Sequence, residues 1–573
     1  MSLVIRIDLS SQQINSEEIT EEHPLYYYAG RSLTSKIVSE EVPPRSNPLS
    51  AENKLIVAAG FLTGTPCPNS GRFSIGAKSP LTNGIKESNV GGRAPALMGR
   101  HDIRALILEH ISPFWVVLVI QSDGKVIIDS AKDLQGLNNY DLAEKLMEKY
   151  GKNIGVLSIG VAGEKQLKAA SIASIDLEGY PSRHAGRGGL GAVMGSKKLK
   201  AIVVIPPKKT RLTYHDISTF KTESKEWGLS IYKAKRMLSK FGTLVGLTTM
   251  NSLNGLPTQN FRHGSYDKAE QISGEALFDY IEENNGKSGI ACSPGCVIKC
   301  SNLVTNSEGK HLTSSLEYET VALNGSNLLI DSIEDLAEID HACDDVGLDT
   351  IEFGNATGVY MESGKIAWGD AKKVVELIYG IMQDNPDSIT VANGAVNTGK
   401  IFQVNRVAHV KGQGFPGYDP RSFKAMGVTF LTSPMGADHT AGSAISGRVP
   451  YPDREYGKLT ESDHKVELSR GLQIFTMIHD SIGQCFFVNP TYQSTPHIVK
   501  LLNAKYGWNL TPNELINWSK SWLKMEIDYN TKVGLKSVDN FPSFIEKECL
   551  EDNSKRIWDV SREDLEHIWN DLK

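Results

Sequence analysis

Ala291-Cys292-Ser293-Pro294-Gly295-Cys296-Val297-Ile298-Lys299-Cys300 decides how the rest of the chain is read, because it gathers three of the seven cysteines at two equal spacings. Thiolates are soft ligands for iron–sulfur clusters or zinc, and three on one loop leave a single position for a ligand from elsewhere. Pro294 and Gly295 make the segment a turn able to wrap a cluster, not a helix face that would splay the thiols apart. Buried, apolar cysteines are the bland alternative; they leave the even spacing unexplained.

Around this loop lie 573 residues, more than a single core supports, so two to four domains are expected. With 40% hydrophobic and 22% charged residues and a net charge of -6, the composition is that of a soluble globular protein. The lack of a basic surplus argues against nucleic acid as a partner. Charges come too early at the amino terminus for a secretory signal, and no apolar run is long enough to cross a bilayer. The expectation is a cytoplasmic chain with no membrane partner. Seven cysteines, an odd number with three in one loop, also suit intracellular metal chemistry better than a disulfide framework.

Before the loop the chain is strand-rich: residues 4–9, 54–59, 104–109, 114–120 and 199–205 read as strands. The Gly/Pro/Asn-dense connections 60–71 and 79–92 are long for structural turns and suit ligand binding, with Arg72 and Lys78 able to face anions. A glycine cluster at 186–198 could bring backbone N–H groups to a phosphate. A dinucleotide fingerprint is its rival. It is rejected because the strand at 199–205 starts too soon to leave room for the helix of a βαβ unit.

After about residue 210 the periods become helical, as at 275–284, 332–346 and 372–382. Asp331 with Glu334 suits a capping box for the second of these, which ends with Gly347 as its cap. The endings Asp344-Asp345-Val346-Gly347-Leu348-Asp349 and Asp480-Ser481-Ile482-Gly483-Gln484-Cys485 echo each other, so two matching corners could grip a pair of similar ligands. Two ordinary Gly-capped helices would look the same. Cys485, closing the second corner, can supply the fourth thiolate, and a three-plus-one split resembles iron–sulfur ligation more than zinc.

Together these residues resemble the aldehyde ferredoxin oxidoreductase family of tungsten, sometimes molybdenum, enzymes. The match runs nearly end to end, through Gly71-Arg72, Lys78-Ser79-Pro80-Leu81-Thr82, Ser88-Asn89-Val90-Gly91-Gly92, 186–198, the cysteine loop, Glu317-Tyr318-Glu319-Thr320, both corners, and Gly417-Tyr418-Asp419-Pro420-Arg421. The resemblance implies an α+β fold: a strand-rich domain 1–208 followed by two mainly helical domains, 209–415 and 416–573, with the cofactor at the domain junction. It implies a tungsten or molybdenum bis-pyranopterin, a magnesium ion bridging the pterin phosphates, and one [4Fe–4S] cluster. Arg72, Asn89, Gly91, Arg187, Gly188, Gly189 and Gly191 would then hold phosphates and pterin. Asp344, Leu348, Asp349, Asp480 and Gln484 would hold the pterin rings, and Cys292, Cys296, Cys300 and Cys485 would bind the cluster.

Two departures from the family pattern stand out. The first two loop cysteines are separated by three residues where two are usual, and Gln484 replaces a usual Leu, adding an N–H donor near the cluster sulfurs that would tend to raise the potential. The implied activity is oxidation of an aldehyde to a carboxylate, with Glu317 or Glu319 and His439 as candidate proton acceptors. The spacing from Cys300 favours Glu317; the two glutamates share a face if their segment is extended and diverge if it is helical. Implied partners are a small-molecule aldehyde, a ferredoxin or companion iron–sulfur subunit, and a second copy of the chain in a homodimer, where Glu338 and His341 would be candidate ligands for an interface metal. Reduction of an aromatic acyl-CoA in a larger complex is the alternative within the family. A cluster-only electron carrier or scaffold with no pterin is the alternative outside it.

Overall fold

A computed structural model describes residues 2–445, 447–551 and 554–572. By internal contacts the chain forms two compact units, neither continuous in sequence. The first comprises Met1–Ala234, Ala291–Ile298 and Ile474–Leu535; the second comprises Lys235–Ile290, Lys299–Gln473 and Lys536–Lys573. The expected segments 1–208, 209–415 and 416–573 divide the chain by sequence order, whereas these units interleave. Among the described residues no helix is long and apolar enough to cross a membrane.

The first unit is built on two six-stranded sheets. One contains β1 (Leu3–Asp8), β2 (Gln13–Glu18), β3 (Leu55–Ala59), β4 (Phe73–Lys78), β5 (Ile85–Val90) and β6 (Ile103–Glu109), in the order β2-β1-β6-β3-β4-β5. The other contains β7 (Val116–Ile120), β8 (Val126–Ser130), β9 (Gly155–Ser158), β10 (Ile172–Ser174), β11 (Arg183–Ala185) and β12 (Leu199–Val204), in the order β11-β10-β9-β12-β7-β8. Strands such as β3 and β7 are buried along their whole length, which is why they read as continuous apolar runs. Ile5, Ile7, Val57 and Leu106 of the first sheet share one core with Leu118, Leu157, Ile172 and Ile202 of the second. Each such side chain contributes about 1.5–3 kcal/mol by leaving water, and the stacked sheets hold their connecting loops on a rigid base.

One expectation needs correcting. A helix, Leu190–Ser196, does fit between the glycine cluster and β12, because two turns occupy only seven residues. The dinucleotide reading still fails, on topology: β11 pairs antiparallel with β10, and β9 and β10 stand between it and β12.

The second unit is mainly helical. Its helices include Tyr318–Asn324, Ile333–Val346 and Thr350–Glu362, joined by a small sheet of β13 (Lys287–Ile290), β14 (Ser301–Thr305) and β15 (His311–Thr313). Ser332, not Asp331, caps Ile333–Val346, its hydroxyl accepting from the Asp335 N–H at 3.2 Å. Asp331 lies one residue too early and pairs with Lys268. A strand-rich amino-terminal region followed by a mainly helical one is the α+β architecture expected.

Candidate functional site

The cysteine loop connects β13 to β14 and is a turn, as Pro294 and Gly295 demand. The Cys296 N–H donates to the Ser293 carbonyl at 3.2 Å, and Gly295 takes φ +79, the conformation required at the third position of a type II turn. The extra residue bulges outward: Gly295 is exposed, while Ser293 and Cys296 on either side are buried.

A residue absent from the sequence reading ties this loop to the second corner. Asn69 is buried and left-handed, φ +58. Its N–H donates to the Gly295 carbonyl at 3.0 Å, its carbonyl accepts from the Cys485 N–H at 2.8 Å, and its Nδ2 lies 3.3 Å from Cys296 Sγ. Its Oδ1 accepts from the Val297 N–H, also at 3.3 Å. Cys292, Cys296 and Cys485 are thus brought together within the first unit, while Cys300, four residues on, belongs to the second. A hydrogen bond from Cys296, with the guanidinium charges of Arg72 and Arg183, holds the Cys292 thiol down at about 6, against burial. Cys67 is different: burial pushes its thiol up, and it stays protonated. No disulfide joins any of the seven cysteines.

The expected phosphate-binding residues of the first domain lie beside these thiols. The Arg72 guanidinium donates to Asn89 Oδ1, and Asn89 Nδ2 is buried with no partner among the described residues. A Cβ on Gly91 would stand 3.2 Å from Arg72 Nη1 and 3.7 Å from Cys292 Sγ, so Arg72, Gly91 and the Cys292 thiol form one patch. Gly188 and Gly189 are left-handed, φ +84 and +74. A Cβ at Gly188 would meet the Lys86 side chain at 2.5 Å, and one at Gly191 the Ser171 carbonyl at 2.3 Å. The cluster's glycines are therefore required by close packing, and Arg187 is buried with them.

The second corner also belongs to the first unit. Gly483 ends helix Lys465–Ile482 with φ +79. Buried Asp480 pairs with Arg31 at 3.3 Å, and Arg31 is held in turn by Glu526, with Nη2 to Oε2 at 2.8 Å. Burial and the Asp480 charge, partly offset by Arg31, push the neighbouring Glu87 carboxyl up to about 8. Gln484 donates to the Pro68 carbonyl at 3.0 Å and lies 3.9 Å from the sulfur of Cys67. The amide found against an expected cluster sulfur is that of Asn69.

In the second unit the first corner repeats this backbone. Gly347 takes φ +85, buried Asp344 precedes it, and Leu348 is buried. Asp349 caps helix Thr350–Glu362, accepting from the Ile351 N–H at 3.0 Å. Glu317 and Glu319 straddle the start of helix Tyr318–Asn324 and diverge, as a helical segment requires. Glu317 accepts from Ser315 at 2.8 Å and Thr243 at 2.6 Å. Glu319 meets His439: Oε2 accepts from the Gly417 N–H at 2.7 Å, and Oε1 stands 3.6 Å from His439 Nε2. His439 Nδ1 is buried with no hydrogen-bond partner among the described residues. Beside the pair, Tyr318 stacks on Tyr418 at 4.9 Å, and burial raises both phenols well above their ordinary value, so they remain neutral. His341 directs Nδ1 to the Leu312 carbonyl at 2.6 Å. Among the described residues no three His, Cys, Asp or Glu side chains converge closely enough to hold a single metal ion. A four-iron cube spreads its thiolates over its corners and needs no such convergence.

Comparison with known proteins matches the amino-terminal domain of aldehyde ferredoxin oxidoreductase to residues 4–206, and its domains 2 and 3 to residues 223–568. The tungsten-containing aldehyde ferredoxin oxidoreductase of Pyrococcus furiosus is 32% identical, over 96% of this chain and 92% of its own. The enzyme of that name from Thermococcus kodakarensis is 30% identical, over 93% and 88%. An aliphatic sulfonate oxidoreductase, WOR-like subunit, of P. furiosus is 24% identical, over 90% and 83%. Among solved structures, the active-site complex BamBC of benzoyl coenzyme A reductase with 1,5-dienoyl-CoA shares the fold. Its TM-score is 0.80 at 18% identity, covering 100% of this chain and 93% of that one.

Proposed function

Because the chain belongs to the aldehyde ferredoxin oxidoreductase family, we propose that it oxidises an aldehyde to a carboxylate with a tungsten or molybdenum bis-pyranopterin. Electrons would pass through one [4Fe–4S] cluster to a ferredoxin or companion iron–sulfur subunit. The observation that carries this reading is the patch in the first unit where Arg72, Asn89 and Gly91 meet Cys292. Residues suited to a pterin phosphate stand there against a thiol suited to a cluster.

The residues fit both groups. Asn89 Nδ2 is buried with no partner among the described residues, and Arg72, Arg183 and Arg187 would supply cations for the pterin phosphates. Cys292, Cys296, Cys300 and Cys485 would ligate the cluster. Asp344, Leu348, Asp349, Asp480 and Gln484 would hold the pterin rings. When bound, the pterin-held metal supplies the two-electron redox chemistry and the cluster passes electrons on singly.

The protein's own part is to manage protons. Converting an aldehyde and water to a carboxylate releases two electrons and three protons, so a base must stand ready. The Glu319 carboxylate faces His439 Nε2 and favours a proton there, leaving the Nδ1 lone pair to accept one from substrate or water. The Gly417 N–H fixes the other Glu319 oxygen and keeps the pair aligned. Glu317, engaged by Ser315 and Thr243, serves as a structural anchor.

The 32% and 30% identical relatives, both named for aldehydes, favour aldehyde oxidation over reduction of an aromatic acyl-CoA, since the benzoyl-CoA reductase likeness at 18% identity speaks to fold alone. Anaerobically purified protein should contain tungsten or molybdenum, pterin and about four irons per chain, and should reduce a viologen dye when given aldehydes. Absence of pterin would sink the proposal. Activity with an aromatic acyl thioester but no aldehyde would replace it with the reductive reading.

A further inference from the structure

We propose that the face of the first unit above the cysteine loop is a docking surface for an acidic, iron–sulfur-bearing protein that collects the electrons. This rests on the redox reading above and gives it a place. A cavity of about 370 Å³ opens there, one side formed by Gly71, Pro294 and Gly295 and the other by Thr210, Leu212 and Tyr214. Pro294 and Gly295 are the outward bulge between Cys292 and Cys296, so an occupant would touch the loop carrying two cluster thiols.

The rim decides the class of occupant. Residues 206–214 carry three cations, Lys208, Lys209 and Arg211, and no carboxylate; all three are exposed. Arg100, also exposed, lines the cavity, and its carbonyl accepts from the Arg211 N–H at 2.9 Å, binding the strap to the cavity edge. Of the neighbouring acids, Asp123 accepts from the Arg211 side chain through its backbone carbonyl, and the Asp102 charge reaches Tyr214. Arg100 lines the cavity itself, and Lys208, Lys209 and Arg211 lie on the strap whose Thr210, Leu212 and Tyr214 line it, on a chain of net charge -6. A small apolar depression inside a charged rim is the anatomy of a protein interface: the depression takes one apolar side chain, and the charges steer and orient the encounter. Transient redox partners use small interfaces of this kind.

The test compares acceptors. In Arg100→Glu/Lys208→Glu/Lys209→Glu, aldehyde-driven reduction of a purified small acidic ferredoxin should fall at least about tenfold in kcat/KM at low salt, while reduction of methyl viologen does not fall and iron content is unchanged. Lys145→Glu, on another exposed face, should leave both rates alone. An undiminished ferredoxin rate, or equal losses with ferredoxin and dye, would overturn the proposal. Carbodiimide coupling of that ferredoxin to the unmutated protein gives a second, independent readout: cross-links should map to Lys208 or Lys209, and cross-links mapping only elsewhere would overturn it. If the unmutated protein reduces neither acceptor, the redox reading has failed, and the cross-link map alone decides the docking surface.

Discussion

Asn69→Gly is the sharpest perturbation available. Glycine accepts the left-handed φ of +58, so the backbone bonds to Gly295 and Cys485 can persist while the side chain is removed. Two interactions go: Nδ2 to Cys296 Sγ and the Val297 N–H to Oδ1, each at 3.3 Å. A neutral hydrogen bond contributes about 0.5–1.5 kcal/mol and one to a charged group about 1.5–3 kcal/mol, so the loop should lose about 2–4.5 kcal/mol. If the N–H···S contact strengthens by about 1 kcal/mol when the cluster gains an electron, its loss lowers the potential by about 40 mV, from about 59 mV per tenfold in a one-electron couple. An EPR-monitored titration of Asn69→Gly with intact iron content should therefore give a potential shifted downward. Asn69→Ala should add about 1–2 kcal/mol of backbone strain, because alanine resists the left-handed region. A potential in Asn69→Gly within about 10 mV of the parent, far below the about 40 mV expected, would refute the idea that this amide touches a cluster sulfur.

Three further outcomes are expected. Glu319→Gln and His439→Gln should each lower kcat by about 10²–10⁴-fold with metal and pterin content unchanged, whereas Glu317→Gln should act mainly on stability; equal kinetic losses at both glutamates would contradict their assignment. Arg31→Leu strands Glu526 and Asp480 as buried acids and should cost about 3–5 kcal/mol in chemical denaturation, partly recovered by adding Glu526→Leu; an unchanged midpoint would show that Arg31 is not their counter-charge. Glu87 holds its proton up to about 8 in the folded protein against an ordinary 4.5, so the native state binds the extra proton across that window. Stability should then fall as pH rises through it, by up to about 1.4 kcal/mol per pH unit. Glu87→Gln should flatten that slope, and a slope preserved in the variant would assign it to another group.

What the sequence could disclose follows from how local each feature is. The cysteine turn was legible because Pro294-Gly295 encodes its own geometry, and strands such as β3 and β7 because a fully buried strand has no polar face to disguise it. The two Asp-x-x-Gly corners were legible as a backbone echo, and both glycines are indeed left-handed caps. The order of the strands was not, since it depends on partners far apart in the chain. Asn69 is not legible for the same reason: its value lies in contacts with residues 295–297 and 485, although it stands inside the loop 60–71, which is long enough for a ligand, and asparagine is a residue that tolerates φ > 0. The choice between Glu317 and Glu319 turned on where a helix begins. Glu317 takes extended angles, φ -100 and ψ 157, as the residue before the first turn, and from there the chain carries Glu319 round to Gly417 and His439. Boundaries of that kind shift by a residue or two in any sequence reading, and in a motif of two acids two residues apart that shift decides which acid meets the histidine. The chemistry of the site is therefore written in residue types that a sequence displays, while the assignment of roles waits on distances between residues about a hundred or more positions apart.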